Sequence, residues 1–187
     1  MARTAGRDAE ETRRKILEAT AEMIGRHGTT VPVSDIAKHA GVSKGGLLYH
    51  FPSKEALLVG LATELMTEFR EAVQEFAAAE PEGTPGRLMR AYIRSSFVEA
   101  DDPQVLQDFI SLAANLMFDP EIEESAKKDA AKWRTELNQD GLDPATVRLI
   151  IAATDGANTG PLWGAVLNES DRKQLEQQLI SMTYPNS

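Results

Sequence analysis

The chain of 187 residues carries 20 Lys/Arg against 29 Asp/Glu, a formal net charge of −9, and no cysteine. That length suits one domain or two small ones, and the missing cysteines exclude a disulfide framework, a thiolate metal site and a cysteine nucleophile. The first 60 residues hold nine Lys/Arg against seven Asp/Glu and all three histidines, whereas the remainder holds eleven against twenty-two. Only the N-terminal part therefore tolerates a polyanion.

Residues 1–7 are small, polar and basic and read as a mobile tail, either plain disorder or an arm that reaches a groove or phosphate. Asp8 to Arg26 is expected to be a helix with Ile16, Leu17, Ala19, Thr20, Met23 and Ile24 on one apolar stripe. Gly28 then stops it. Arg13 and Arg14 on this helix either face phosphates or are simply solvated.

Residues 32–51 read as a helix-turn-helix. Ile36, Ala37 and Ala40 give a short helix its apolar face, Gly41 ends it, and Ser43 caps a second short helix on which Leu47 and the preceding Val42 face the first. Lys44 lies in the first turn of that second helix, Gly45 and Gly46 leave its surface bare, and Tyr49 and His50 project from its end. Two glycines inside a helix cost roughly 1 kcal/mol each relative to alanine, so either something approaches the backbone closely or the turn is frayed. Pro52 closes the helix, and Ser53 caps the next.

The ordered pattern D-I-A-K-H-A-G-V-S-K-G-G-L-L-Y-H-F followed by P-S-K-E-A-L-L resembles the N-terminal domain of the TetR family of one-component repressors. The resemblance covers about the first third of the chain. It implies that the third helix enters the major groove while the starts of the second and fourth clamp phosphates, placing Ser34, Ser43, Lys44, Gly45, Gly46, Tyr49, His50 and Lys54 at DNA. Pro32 stands where the family usually has a capping serine or threonine, Gly46 where threonine is common and Leu48 where tyrosine is common. Two base-reading side chains are thereby missing.

Leu57, Leu58, Leu61, Leu65, Phe69, Val73 and Phe76 keep helical phase to Ala79, so a long fourth helix (about 53–79) links residues 1–52 to a second domain over 80–187. Pro81, Gly83, Pro85 and Gly86 break the pattern. Only helices are expected beyond: one over 85–100, one after Pro103, one capped by Asp119 and started by Pro120, and one begun by Asp143 and Pro144. Gly156, Gly160, Pro161 and Gly164 interrupt the last of these, where an interior proline would kink a helix. A final helix is expected from Ser170 to Met182. The fold class is all-α: a three-helix DNA-binding domain followed by a helical ligand-binding and dimerisation domain.

No nucleophile, glycine-rich phosphate loop or His/carboxylate metal spacing argues for an enzyme, so no catalytic residue, metal or cofactor is assigned. No stretch approaches the ~18 apolar residues of a membrane span, and no apolar leader follows the N-terminal arginines. The expectation is a cytoplasmic transcription regulator. The family resemblance implies a homodimer on a palindromic operator in double-stranded DNA and a small-molecule effector held by helices five to eight. Met89, Tyr92, Phe109, Met117, Phe118, Trp133 and Trp163 are candidates for lining such a cavity, with Asp155 and Asn158 as orienting polar groups; the same spacing also suits an ordinary packed core. Asp155 either partners a lipophilic cation or pairs with Arg90, Arg94 or Arg148. Trp163, Val166, Leu175 and Leu179 are candidates for the dimer interface. The alternative is a DNA-binding or protein-interaction module that senses nothing.

Overall fold

The computed structural model describes residues 2–97, 111–117, 119–160, 164 and 166–184, with side chains from residue 9 onward. Among the described residues there are helices and no strand: α1 (Ala2–His27), α2 (Val33–His39), α3 (Lys44–His50), α4 (Lys54–Ala78), α5 (Arg87–Ser96), α6 (helical residues 111–116), α7 (Pro120–Asn138), α8 (Pro144–Thr159) and α9 (Glu169–Ser181).

Most boundaries follow from local chemistry. Gly28 ends α1 at φ 74° with its N–H on the Ile24 carbonyl, and Gly41 ends α2 at φ 69°. Asp119 accepts from the first-turn amides of Glu121 and Ile122, and Asp143 does the same for Thr146 ahead of Pro144. Asn168 and Asp171 form a reciprocal capping box on α9.

Two expectations are corrected. The helix expected from Asp8 begins at Ala2, so residues 2–7 are helical rather than a tail; Ala2, Arg3, Ala5 and Arg7 are good helix formers, and Gly6 alone does not stop them. The helix expected to run on through residues 156–164 is shorter, and the kink expected at Pro161 lies outside the described residues. α8 ends at Thr159 with Gly160 as C-cap, Gly164 takes φ 85°, and residues 166–168 are not helical.

The chain packs as two compact units, the first made of described residues in Met1–Leu65 and Asp102–Ser125, the second of those in Met66–Asp101 and Ala126–Ser187. In the first, Ile16, Leu17, Ile24, Ile36, Leu47, Phe51, Leu57 and Leu61 form the core, joined by Leu112, Leu116 and Ile122. Packing thus groups the described residues of 111–125 with the N-terminal helices. In the second unit, Val73, Met89, Ile93, Phe97, Trp133, Leu137, Val147, Ile150 and Leu179 share one core.

Candidate nucleic-acid interface and effector cavity

Burial of Ile36 and Ala37 on α2 and of Leu47 on α3 fixes which face of the helix-turn-helix turns outward. Ser34, Ser43, Lys44 and Gly45 are exposed, Gly46 and His50 half-buried. Tyr49 is 84% exposed and meets the His50 ring edge-on at 5.3 Å. Two of the residues assigned to DNA already have partners within the chain. The Ser43 hydroxyl accepts from the Gly46 amide at 2.9 Å, capping α3, and the Lys54 ammonium donates to the Val31 carbonyl at 2.6 Å.

The two glycines of α3 differ. A Cβ on Gly46 would approach the Ser43 hydroxyl to 3.3 Å, an internal reason for smallness, whereas a Cβ on Gly45 would stand 3.9 Å from it in otherwise open space. Pro32 is the N-cap of α2 and offers it no side-chain bond. On α1, Arg13 pairs with Glu64 at 3.0 Å and lies over the Phe51 ring, and Arg14 pairs with Glu18.

In the second unit a cavity of about 670 Å³ opens between α4, α5, α7 and α8. Its walls are mainly apolar, with Met66 and Phe69 from α4, Tyr92 from α5, Trp133 and Leu137 from α7 and Ile151 from α8. Phe69, Tyr92 and Trp133 meet edge-to-face, all three pairs with centroids between 5.4 and 5.7 Å. Its charged residues are Asp129, Arg134, Arg148 and Asp155. Burial, then the Asp155 and Asp129 carboxylates, push the Tyr92 phenol up to about 12, so it stays a neutral donor.

Among the sequence candidates, Tyr92, Trp133 and Asp155 line this cavity. Met89 is fully buried in the core instead, Met117 is exposed in the other unit, and Asn158 is exposed away from the lining. Phe109, Phe118 and Trp163 lie outside the described residues. Phe69 was legible only as part of a helical stripe, because nothing local indicates that its ring meets those of Tyr92 and Trp133.

Arg70 on α4 contacts two of the lining residues, Asp129 and Trp133. It bonds Asp129 at 2.9 Å and Glu136 at 2.9 Å, with its guanidinium 4.1 Å from the centre of Trp133. Burial pulls Arg70 down, but the hydrogen bonds to Glu136 and Asp129 outweigh this and hold it above its ordinary pKa. Asp155 differs from Asp129. Among the described residues no cation pairs with its carboxylate, and loss of water raises its pKa with no arginine opposing the shift. The expected rivals Arg90 and Arg94 are committed to Glu80. Asp155 lines the cavity from the exposed side of α8 and is not buried on an apolar face, so water offsets part of the cost of its missing partner.

The expected dimer residues separate. Leu179 is 2% exposed and belongs to the second unit's own core, Leu175 packs partly on that core, and Val166 is 97% exposed. Leu179 therefore has no surface left for a second chain. On α8, Leu149 is 55% exposed, and Cβ atoms built on Gly156 and Gly160 would meet nothing within 4 Å.

Two family models match the chain: "Bacterial regulatory proteins, tetR family" over residues 16–61 and "Tetracyclin repressor-like, C-terminal domain" over residues 86–184. A curated relative, the HTH-type transcriptional regulator BetI of Escherichia coli O127:H6 (strain E2348/69 / EPEC), is 30% identical over 112 residues, 58% of this chain and 56% of that protein, so the match spans little more than half of the relative. Among solved structures, a transcriptional regulator from Pseudomonas aeruginosa PAO1 superposes with a TM-score of 0.69 at 21% identity, covering 92% of this chain and 88% of the other. The multidrug binding protein EbrR complexed with malachite green gives 0.64 at 22% identity, covering 92% and 98%. With one model on the helix-turn-helix and the other on more than half of the chain, the protein belongs to the TetR family of bacterial transcriptional regulators, DNA-binding proteins and not enzymes.

Proposed function

We propose that the protein is a homodimeric repressor that binds a palindromic operator in double-stranded DNA in the cytoplasm and is released by a small lipophilic effector held in the α4, α5, α7 and α8 cavity. The observation that carries the reading is the coexistence, in one chain, of an outward helix-turn-helix face and an aromatic-walled cavity of effector size, both contributed to by residues of α4. In this reading residues 1–52 read DNA, α4 links, and residues from 80 onward sense and dimerise.

Lys44, Ser34, Tyr49 and His50 contact the operator, and the open side of Gly45 lets the backbone approach the groove wall. Dimerisation places two such helices roughly 34–36 Å apart, one half-site each. The exposed α8 face around Leu149, Gly156 and Gly160 and the exposed Val166 serve as the contact between copies. No described helix is long and apolar enough to cross a membrane.

The test is selection of a duplex from a random pool, followed by affinity measurements with and without a panel of lipophilic compounds. Recovery of a twofold-symmetric site whose affinity drops with at least one compound supports the reading. An unsymmetric site bound by monomers, or a symmetric one indifferent to every compound, counts against it and favours a module that senses nothing.

A further inference from the structure

We propose that Asp155 makes the cavity selective for lipophilic cations. The proposal rests on the reading of this cavity as the effector site and adds the charge of what enters. Three observations carry it. The wall is aromatic, with Phe69, Tyr92 and Trp133 mutually edge-on, and the chain itself already holds a cation against it, the Arg70 guanidinium 4.1 Å from Trp133. Of the two carboxylates at the cavity, Asp129 pairs with Arg70, which it shares with Glu136, while Asp155 has no cationic partner among the described residues. Asp155 and Tyr92 line the same cavity, so the unpaired carboxylate shares the space that the aromatic cluster walls.

The cavity also holds Arg134 and Arg148, both exposed. Neither offsets the desolvation of Asp155. Arg148 stands two turns earlier on α8, roughly 10 Å along the axis. A carboxylate that is partly dehydrated and unpaired gains most from a cation that needs little water itself, whereas an inorganic or hydrated ammonium ion would have to give up its shell. A bulky organic cation with aromatic or aliphatic substituents meets both demands at once, filling the apolar walls and supplying the missing charge.

The decisive probes are tetraphenylphosphonium and tetraphenylborate, which share shape and apolar surface and differ in the sign of the charge. Calorimetry on the full-length chain should show tetraphenylphosphonium binding with tetraphenylborate at least about tenfold weaker, and Asp155→Asn should abolish that preference by weakening the cation alone. Asp155→Asn should at the same time unfold no earlier than the native chain, since it removes a desolvated charge. Equal affinity for the two probes, preference for the borate, an unaltered preference in Asp155→Asn, or binding of neither probe would each overturn the proposal; the last would point to Asp155 pairing across a subunit contact. Operator affinity read in the same samples separates the two readings. Charge-selective binding that leaves the operator complex intact would dismiss the effector reading while the charge selection stood.

Discussion

Gly60 has no local reason to interrupt α4, yet a Cβ there would come within 2.6 Å of Cε1 of Phe51. Phe51 is 5% exposed, closes α3, and lies under the Arg13 guanidinium. Gly60→Ala should therefore destabilise the first unit by about 1–3 kcal/mol, the usual range for overpacking, and weaken operator binding without touching DNA; urea unfolding and binding isotherms check both. Lys44 and Lys54 should also part company. Lys44→Ala should weaken all duplexes alike and lower the salt slope by about one, whereas Lys54→Ala should in addition lower the unfolding midpoint, because Lys54 satisfies the Val31 carbonyl. The caps at Ser43 and Asp143 were legible because donor and acceptor lie within three residues of each other. The Lys54 bond and the Gly60 notch were not, since their partners are brought in only by the packing of α4 on earlier segments.

At the level of elements, apolar stripes identify helices and buried faces but leave the identity of the covering surface open. Leu179 illustrates this. A leucine on a C-terminal amphipathic helix suits a dimer seam, and in the structure the chain's own core takes it. Leu179→Asp should then unfold the second unit, seen as loss of helical circular dichroism, while Leu149→Asp should leave folded chains that sediment as monomers. The start of α5 shows a second long-range device. Arg90 is fully buried, bonds Glu80 in bidentate fashion and Thr183 Oγ1 at 3.0 Å, and lies over the Tyr184 ring. Its removal would leave the Glu80 carboxylate with Arg94 alone and take the donor from Thr183 Oγ1, at a cost of about 1–3 kcal/mol. The hydrogen bond from Arg90 holds Glu80 below the usual carboxylate range. The stabilisation is thus present above the unfolded pKa near 4.5 and is lost as pH falls through the lower folded value. Acid titration of the unfolding midpoint should show this loss in the native chain and a flatter profile in Arg90→Met.

For the whole molecule, the all-helical class and the DNA-binding role were legible because both rest on local spacing, reinforced by a charge split that confines basic character to the first 60 residues. The cavity was legible only in part, since its aromatic trio comes from α4, α5 and α7 and no sequence period couples three separate helices. If effector and operator antagonise each other, the factor by which a ligand weakens DNA binding must equal the factor by which DNA weakens ligand binding. Measuring both around the same cycle is the strictest check that one equilibrium links the two sites, and unequal factors would indicate that the measurements report different species.

Asp140, just past α7, accepts from the Leu88 and Met89 amides with its carboxylate and from the Gly86 amide with its carbonyl. The first turn of α5 is thus closed by a residue more than fifty positions away, a cap that cannot exist until most of the second unit has been assembled. The helices α7 and α8 follow each other across a short connection, whereas the cap on α5 must close a loop of more than fifty residues and so forms later. In hydrogen–deuterium exchange, the amides of Leu88 and Met89 should consequently report the opening of the whole unit and not the fraying of their own helix, slowing or quickening together with core amides of α8 when the chain is destabilised.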